Sequence, residues 1–194
     1  MKSGKTMDLI RTAYNYEENG LKVLVMKPVI DTKGDKKIVT RAGLEKNVDI
    51  LINSNDNICD LLINNIDSVS CIFIDEAQFL TKNQVNELFI CSKTLDIPII
   101  CYGLRTNFKG ELFEGSSSLL ALADELNEFK TLCKCGNIAR FNARMVNDIY
   151  TIDGENVLID GEVSNIKYVP LCGSCFIKDV LKIKNKELIK RIDI

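Results

Sequence analysis

An α/β fold, with helices flanking a parallel sheet and a small cysteine-bearing β subdomain after it, is predicted by three observations on the 194-residue sequence. Short apolar runs alternate with stretches of helical period over residues 1–130, the signature of a parallel α/β sheet. Ser3-Gly4-Lys5-Thr6 reads as the second half of a P-loop, G-x-x-x-x-G-K-[ST]. Two close cysteine pairs, Cys133/Cys135 and Cys172/Cys175, follow in the last third. These divide the chain into a P-loop nucleotide-binding domain over 1–130 with its first strand missing, a zinc-binding subdomain over 131–180 and a tail over 181–194.

The elements of the first part follow in order. Met7, Ile10, Ala13 and Tyr14 recur at helical spacing and Gly20 stands where a left-handed C-terminal residue belongs. Leu21 to Met26 is a buried strand stopped by Pro28. Residues 31–47, with Gly34 and Gly43, read as a polar loop. Ile58, Leu61, Leu62 and Ile66 form the stripe of a core-facing helix. Cys71-Ile72-Phe73-Ile74 is a buried strand that ends in Asp75-Glu76. An acid at that place is a Walker-B carboxylate for Mg²⁺ or, alternatively, a cap for the next helix. Thr81 to Gln84 has the capping-box pattern, and Val85, Leu88, Phe89 and Leu95 are expected on one face of the helix it opens. Ile97 to Tyr102 is a further strand. From Leu104 to Gly115 aromatics and charges mix without a period, either pinning a loop to the core or lining a pocket for a base. A short apolar helix is expected over Ser118 to Asp124.

Composition narrows the chemistry. At 46% hydrophobic and 27% charged residues the chain is ordinary for a globular protein, and a net charge of −2 with a pI of about 5.4 gives no general affinity for nucleic acid. No apolar run approaches the roughly 20 residues that span a bilayer, so no membrane segment is expected, and the setting is expected to be cytoplasmic and reducing. There is no histidine. A general base near neutral pH is therefore a carboxylate, a cysteine, a lysine or water, and a zinc site is built from Cys, Asp or Glu. Four thiolates in two pairs, separated by short β-like stretches including Val157-Leu158-Ile159 and Tyr168-Val169, match a structural zinc ribbon; the competing reading, disulfides, is disfavoured in the cytosol. Cys59, Cys71, Cys91 and Cys101 read as small buried side chains.

In this order the features resemble the thymidine kinases of the cellular and bacterial type, P-loop enzymes with a lasso loop and a zinc-bearing lobe. The similarity covers residues 1–180 and is carried by Asp75-Glu76-Ala77-Gln78-Phe79, by Cys101-Tyr102-Gly103-Leu104-Arg105-Thr106-Asn107-Phe108 and by the cysteine pairs. The resemblance implies ATP- and Mg²⁺-dependent phosphorylation of the 5′-hydroxyl of thymidine, and of deoxyuridine, in nucleotide salvage for DNA synthesis. It implies that Ser3, Gly4, Lys5, Thr6, Asp75 and Gln78 bind Mg-ATP, that Thr6 and Asp75 hold the magnesium, and that Glu76 is the catalytic base. Met1, Gln78, Phe79, Leu104, Phe108 and Phe113 would line the thymidine pocket, joined by Asn142, Leu158, Ile159 and Tyr168 of the lasso. Cys133, Cys135, Cys172 and Cys175 would bind a structural zinc. The resemblance also implies a homotetramer and feedback inhibition by thymidine triphosphate (TTP), with neither nucleic acid nor membrane as partner.

The sequence departs from the family pattern at four places. The P-loop lacks its leading glycine and its feeding strand, from which poor thymidine phosphorylation by this chain is expected; the alternative reading is a folded nucleoside- or nucleotide-binding remnant without turnover. Lys33 follows Asp31-Thr32 where the family's D-x-R has arginine, which removes a bidentate contact. Ile159-Asp160-Gly161 stands for I-G-G, with extra residues before Tyr168. The first cysteine pair is C-x-C rather than C-x-x-C.

Overall fold

The structure, a computed structural model, describes residues 3–29, 36–40, 42–154 and 165–182. They fall into two compact units: Gly4–Arg105 with Leu112–Glu128, and Ser3 and Thr106–Glu111 with the described part of Phe129–Ile194.

In the first unit, helix α1 (Lys5–Glu18) ends at Asn19 and Gly20, whose φ of 73° takes the left-handed form that glycine adopts without strain. Strand β1 (Lys22–Pro28) follows and is buried along all but its first residue. After it come β2 (Lys37–Val39) and β3 (Glu45–Asn47), an antiparallel pair. Residues 31–47 were expected as loop, and this pair corrects that reading. Only Ile38 is buried in it, so no alternation of apolar and polar residues marks the strands. Strand β4 (Ile50–Ile52) has no sequence counterpart either, because three residues between asparagines and aspartates are too few to show a period.

Helix α2 (Ile58–Ile63) is capped by the Asn57 side chain, which accepts from the Asp60 amide. Strand β5 (Val69–Ile74), helix α3 (Lys82–Thr94) and strand β6 (Ile99–Cys101) complete the alternation. The sheet runs β4-β1-β5-β6, and every neighbouring pair is parallel. Its central strands are buried on both faces, as crossover helices require. On one face Tyr16 of α1 meets Phe73 edge-on, with ring centroids 5.9 Å apart. On the other, Leu24, Met26, Ile72 and Ile74 pack with Ile58 and Leu62 of α2 and with Val85, Leu88 and Cys91 of α3.

The capping box of α3 forms as expected, with Thr81 and Gln84 bonded reciprocally. The Gln84 amide also donates to the Asn53 and Asp56 carbonyls at 2.7 and 3.2 Å, tying the helix to the loop before α2. The buried stripe differs from the expected one. Phe89 and Leu95 are 37% and 36% exposed, and the core position on this face is taken by Cys91, a residue the sequence marks as a small buried side chain.

Helix α4 (Glu114–Leu122) starts four residues earlier than the sequence suggests. Its early start depends on Gly115. A Cβ there would stand 2.6, 2.8 and 3.0 Å from the carbonyl oxygens of Leu80, Ala77 and Gln78, so the helix lies directly on the 3₁₀ turn Ala77–Phe79.

The second unit is built on three antiparallel strands in the order β10-β9-β11, after a short pair β7 (Thr131–Leu132) and β8 (Ile138–Ala139). Strands β9 (Phe141–Val146), β10 (Ile149–Thr151) and β11 (Ile166–Leu171) lead to one helical turn at Gly173–Cys175 and a π-turn at Phe176–Val180. One face of this sheet, with Ala143 and Leu171, packs on Phe176, Val180 and two of the cysteines, and Phe141 stacks on Phe176 at 4.5 Å.

Because three backbone oxygens surround the Gly115 position, Gly115→Ala is expected to lower stability by about 2–3 kcal/mol through overpacking, although alanine is the better helix former. Urea midpoints of the two proteins check this; an unchanged or raised midpoint would show that α4 can shift off the turn at no cost.

Candidate active site

Asp75 is the first residue after β5 and is 5% exposed. Its amide donates to the Met26 carbonyl at 3.0 Å, which extends the β1–β5 ladder by one bond and holds the carboxylate at the sheet's C-terminal edge. In an open parallel sheet that edge is where ligands bind. Burial, then the neighbouring Glu76 carboxylate, pushes the Asp75 carboxyl up to about 7. A backbone hydrogen bond at Glu76 and the charges of Lys5 and Lys27 pull the other way. Lys5 opens α1, and Lys27, on β1, is 2% exposed with its Nζ donating to the Lys37 carbonyl at 3.2 Å. Two cations thus act on one buried anion.

Glu76 has φ 50° and ψ 36°, a left-handed conformation rare outside glycine, asparagine and aspartate. It is half-buried. The strain is held by its surroundings: the Ala77 amide donates to the Tyr102 carbonyl at 2.9 Å, and the Gln78 amide nitrogen donates to the Glu76 carboxylate at 2.5 Å. Gln78 is itself buried, and its Oε1 accepts from the Leu104 amide at 3.0 Å. A Cβ on Gly103 would lie 2.9 Å from that Oε1, so glycine admits the approach. Tyr102 donates its hydroxyl to Asp8 of α1 at 3.0 Å, which links β6 to the helix that carries Lys5. Phe79 and Phe113 meet edge-on at 5.7 Å. Ser3, Lys5 and Thr6 are half-buried and Gly4, at φ 84°, is exposed.

In the second unit, strand pairing sets the faces. Arg144 lies opposite Tyr168, and Asn142 opposite Pro170, so all four share one face of the sheet, the reverse of the core face. Arg144 is 1% exposed, and its Cζ stands 3.5 Å from the centroid of the buried Phe108 ring. Phe108 follows Asn107, whose Oδ1 accepts from the Lys109 and Glu111 amides at 2.9 and 3.0 Å and closes the 106–111 loop on itself.

The Sγ atoms of Cys133, Cys135, Cys172 and Cys175 lie within 4.8 Å of one another. Tetrahedral ligation at Zn–S distances of about 2.3 Å places sulfurs about 3.8 Å apart, so the cluster fits a zinc ion. The Cys135 and Cys172 sulfurs are 3.6 Å apart. The thiols also pull each other's acidities in opposite directions. Burial opposes ionisation of Cys133, but amides of Cys135 and Cys172 and the other thiols bring it down to about 6. Cys175 is pushed up to about 12, first by its hydrogen bonds to Cys135 and Cys133. The Cys133 thiolate is favoured while Cys175 resists ionisation, a conflict that a divalent cation held by the cluster would resolve.

The residues read from the sequence thus occur as separate sets: Gly4, Lys5, Thr6, Asp75, Glu76, Gln78, Phe79, Leu104 and Phe113 in the first unit, and Ser3, Phe108, Asn142, Tyr168 and the four cysteines in the second. Met1, Leu158, Ile159, the Asp31-Thr32-Lys33 stretch and Asp160-Gly161 lie outside the described residues. Lys27 and Arg144 escaped the sequence reading. A lysine next to the end of an otherwise apolar strand was the visible signal for the first. For the second, only its alternation with Asn142 on a strand was available.

A family model described as thymidine kinase matches residues 1–176. Among curated proteins, the chain is 43% identical to a thymidine kinase of Rhodopirellula baltica, over 89% of this chain and 82% of the relative. It is 40% identical to one from Shewanella oneidensis, over 91% and 92%. A thymidine kinase of Legionella pneumophila is 44% identical over 89% and 83%.

The upward shift of the Asp75 pKa makes stability depend on pH. Its folded value of about 7 lies above the ordinary 3.8, so the folded protein holds this proton longer and loses stability as pH rises from about 4 to about 7. Asp75→Asn in magnesium-free buffer is therefore expected to stabilise the protein by on the order of 2–4 kcal/mol at pH 8 and hardly at all near pH 4. Denaturant midpoints at the two pH values measure it; a gain independent of pH would show that the Asp75 charge is not what costs stability.

Proposed function

The chain belongs to the thymidine kinase family, and from that premise we propose that it transfers the terminal phosphoryl group of ATP to the 5′-hydroxyl of thymidine, and of deoxyuridine, with Asp75 and Glu76 at the reacting end. The observation that carries this reading is the buried Asp75 beside Lys5, with the strained Glu76 next to it. Identity of 40–44% over most of the chain supports turnover, so the inactive-remnant alternative is not favoured.

Phosphoryl transfer asks a protein mainly for positioning and charge neutralisation. Ser3, Gly4, Lys5 and Thr6 are assigned to the ATP phosphates, with Lys5 as the cation on their oxygens and Gln78 beside them. Asp75 and Thr6 would hold Mg²⁺. They suit it, since a carboxylate and a hydroxyl are hard oxygen donors and a buried carboxylate at about 7 gains from a cation. When bound, the metal neutralises charge on the transferring phosphoryl group. Glu76 accepts the proton of the nucleoside 5′-hydroxyl as that oxygen attacks; no histidine is present to take that part. Gln78 holds the Glu76 carboxylate in place and is fixed in turn by the Leu104 amide.

For the nucleoside, Phe79, Leu104 and Phe113 of the first unit are assigned to apolar contact with the pyrimidine. In the second unit, taken by itself, Phe108, Asn142 and Tyr168 are assigned to base and sugar. Met1, Leu158 and Ile159 complete the assignment. Zinc at Cys133, Cys135, Cys172 and Cys175 is structural. We also assign, from the family, feedback inhibition by TTP, a homotetramer and a cytoplasmic setting. No described helix is long and apolar enough to cross a membrane.

Two measurements test this. Glu76→Gln is expected to leave thymidine and ATP binding nearly unchanged and to lower kcat by about 10²- to 10⁴-fold, the range of a lost general base; an unaltered kcat removes Glu76 from the reaction. One zinc per chain is expected in the purified protein, released in Cys172→Ser. Metal analysis that finds no zinc in the folded wild type overturns the site.

A further inference from the structure

Arg144 is the largest of the fully buried side chains, and it sits on the face of the three-stranded sheet that does not form the core of its unit. Burying a guanidinium is costly unless its charge and donors are answered. Here the answers come from two residues already assigned to the nucleoside. The guanidinium lies over Phe108 with Cζ 3.5 Å from the ring centroid, well inside the roughly 6 Å limit of a cation–π contact. Its Nε donates to the Tyr168 hydroxyl at 3.3 Å, and the Tyr168 centroid is 5.8 Å away. Nη1 donates to the Asp153 carbonyl at 3.4 Å. The next residue, Gly154, has φ 101°, and a Cβ there would come within 3.1 Å of Nη1, so the chain passes the guanidinium where only glycine fits without strain. Asn142, two residues back on β9, shares the face.

We propose that Arg144 is a positioning residue for the nucleoside: its planar cation sets the ring plane of Phe108 and the direction of the Tyr168 hydroxyl, and thereby thymidine affinity. This rests on the reading that Phe108 and Tyr168 contact the nucleoside. A lysine cannot replace it, since an ammonium on a flexible stem has neither the flat face that stacks on Phe108 nor a donor at the Nε position. The effect expected is on nucleoside binding, because the residues that Arg144 holds, Phe108 and Tyr168, are those assigned to the nucleoside.

The test uses the full-length protein with Arg144→Lys, Phe108→Leu, Tyr168→Phe and the Arg144→Lys/Phe108→Leu pair. Steady-state kinetics in thymidine and in ATP are read beside zinc content. Arg144→Lys is expected to raise the thymidine KM roughly 5- to 30-fold while the ATP KM, kcat and one zinc per chain stay within about twofold. Phe108→Leu should do the same, and the pair should be no worse than the larger single change, since both remove one contact. Tyr168→Phe conserves volume at a half-buried site, removes the hydroxyl acceptor and tests the nucleoside reading of Tyr168. Where Arg144→Lys fails to fold, Arg144→Gln, which keeps a planar donor without the charge, takes its place, a raised thymidine KM supporting the proposal and an unchanged one overturning it. If Phe108→Leu and Tyr168→Phe raise the thymidine KM but Arg144→Lys does not, Arg144 is not a positioning residue. Loss of zinc with thymidine and ATP KM rising together would make its role structural and overturn the proposal. If neither Phe108→Leu nor Tyr168→Phe moves the thymidine KM, it is the nucleoside reading of those residues that falls.

Discussion

Much of the first unit's arrangement follows from placing one carboxylate, Asp75, at the end of a buried strand. A carboxylate removed from water costs several kcal/mol unless charges and donors answer it, and here the answer is incomplete, as a value near 7 records. The sheet supplies what compensation there is. Pairing of β1 with β5 brings Lys27 level with Asp75, one position beyond the Met26–Ile74 match, and α1 delivers Lys5 from its first turn. Such residual instability is what the binding role proposed for Asp75 would leave behind in the absence of a cation.

The residues after Asp75 continue the same logic. A chain that turned smoothly into a helix would carry the Glu76 side chain wherever the helix sent it. The left-handed backbone at Glu76 instead breaks the direction at once, and the 3₁₀ turn at Ala77–Phe79 is held from below by α4. Gln78 then ties the Glu76 carboxylate to the backbone of Leu104. Two strand ends, β5 and β6, are thereby cross-linked by one buried amide side chain.

How far the sequence could be read follows from the same forces. Long amphipathic helices and all-apolar strands announce themselves, and so α1, β1, β5 and the capping box of α3 stand where residue patterns put them. Ile50–Ile52 and the pair at Lys37–Val39 and Glu45–Asn47 were invisible because three-residue strands owe their existence to neighbours and not to their own periodicity. Of the site, motif-bearing residues were legible and supporting ones were not. Lys5 and Asp75 belong to spacings that phosphate chemistry demands, whereas Lys27 and Arg144 gain their meaning only from what lies across the sheet from them.

The two units bury charge by opposite means, and the absence of histidine gives the contrast weight. In the first, a buried anion is faced by two lysines; in the second, a buried cation is faced by an aromatic ring, a hydroxyl and a carbonyl. Arginine stays charged at every accessible pH, so the second arrangement is insensitive to protons. The first is not. Asp75 ionises more fully as pH rises through about 7, and a cation bound to the carboxylate would favour that ionised form and shift its titration downward. With no imidazole in the chain, the described groups of the two units that are shifted toward neutrality are this carboxylate and the Cys133 thiol, brought down to about 6, and on the proposed assignment the carboxylate would govern the phosphate end and the thiol the zinc site.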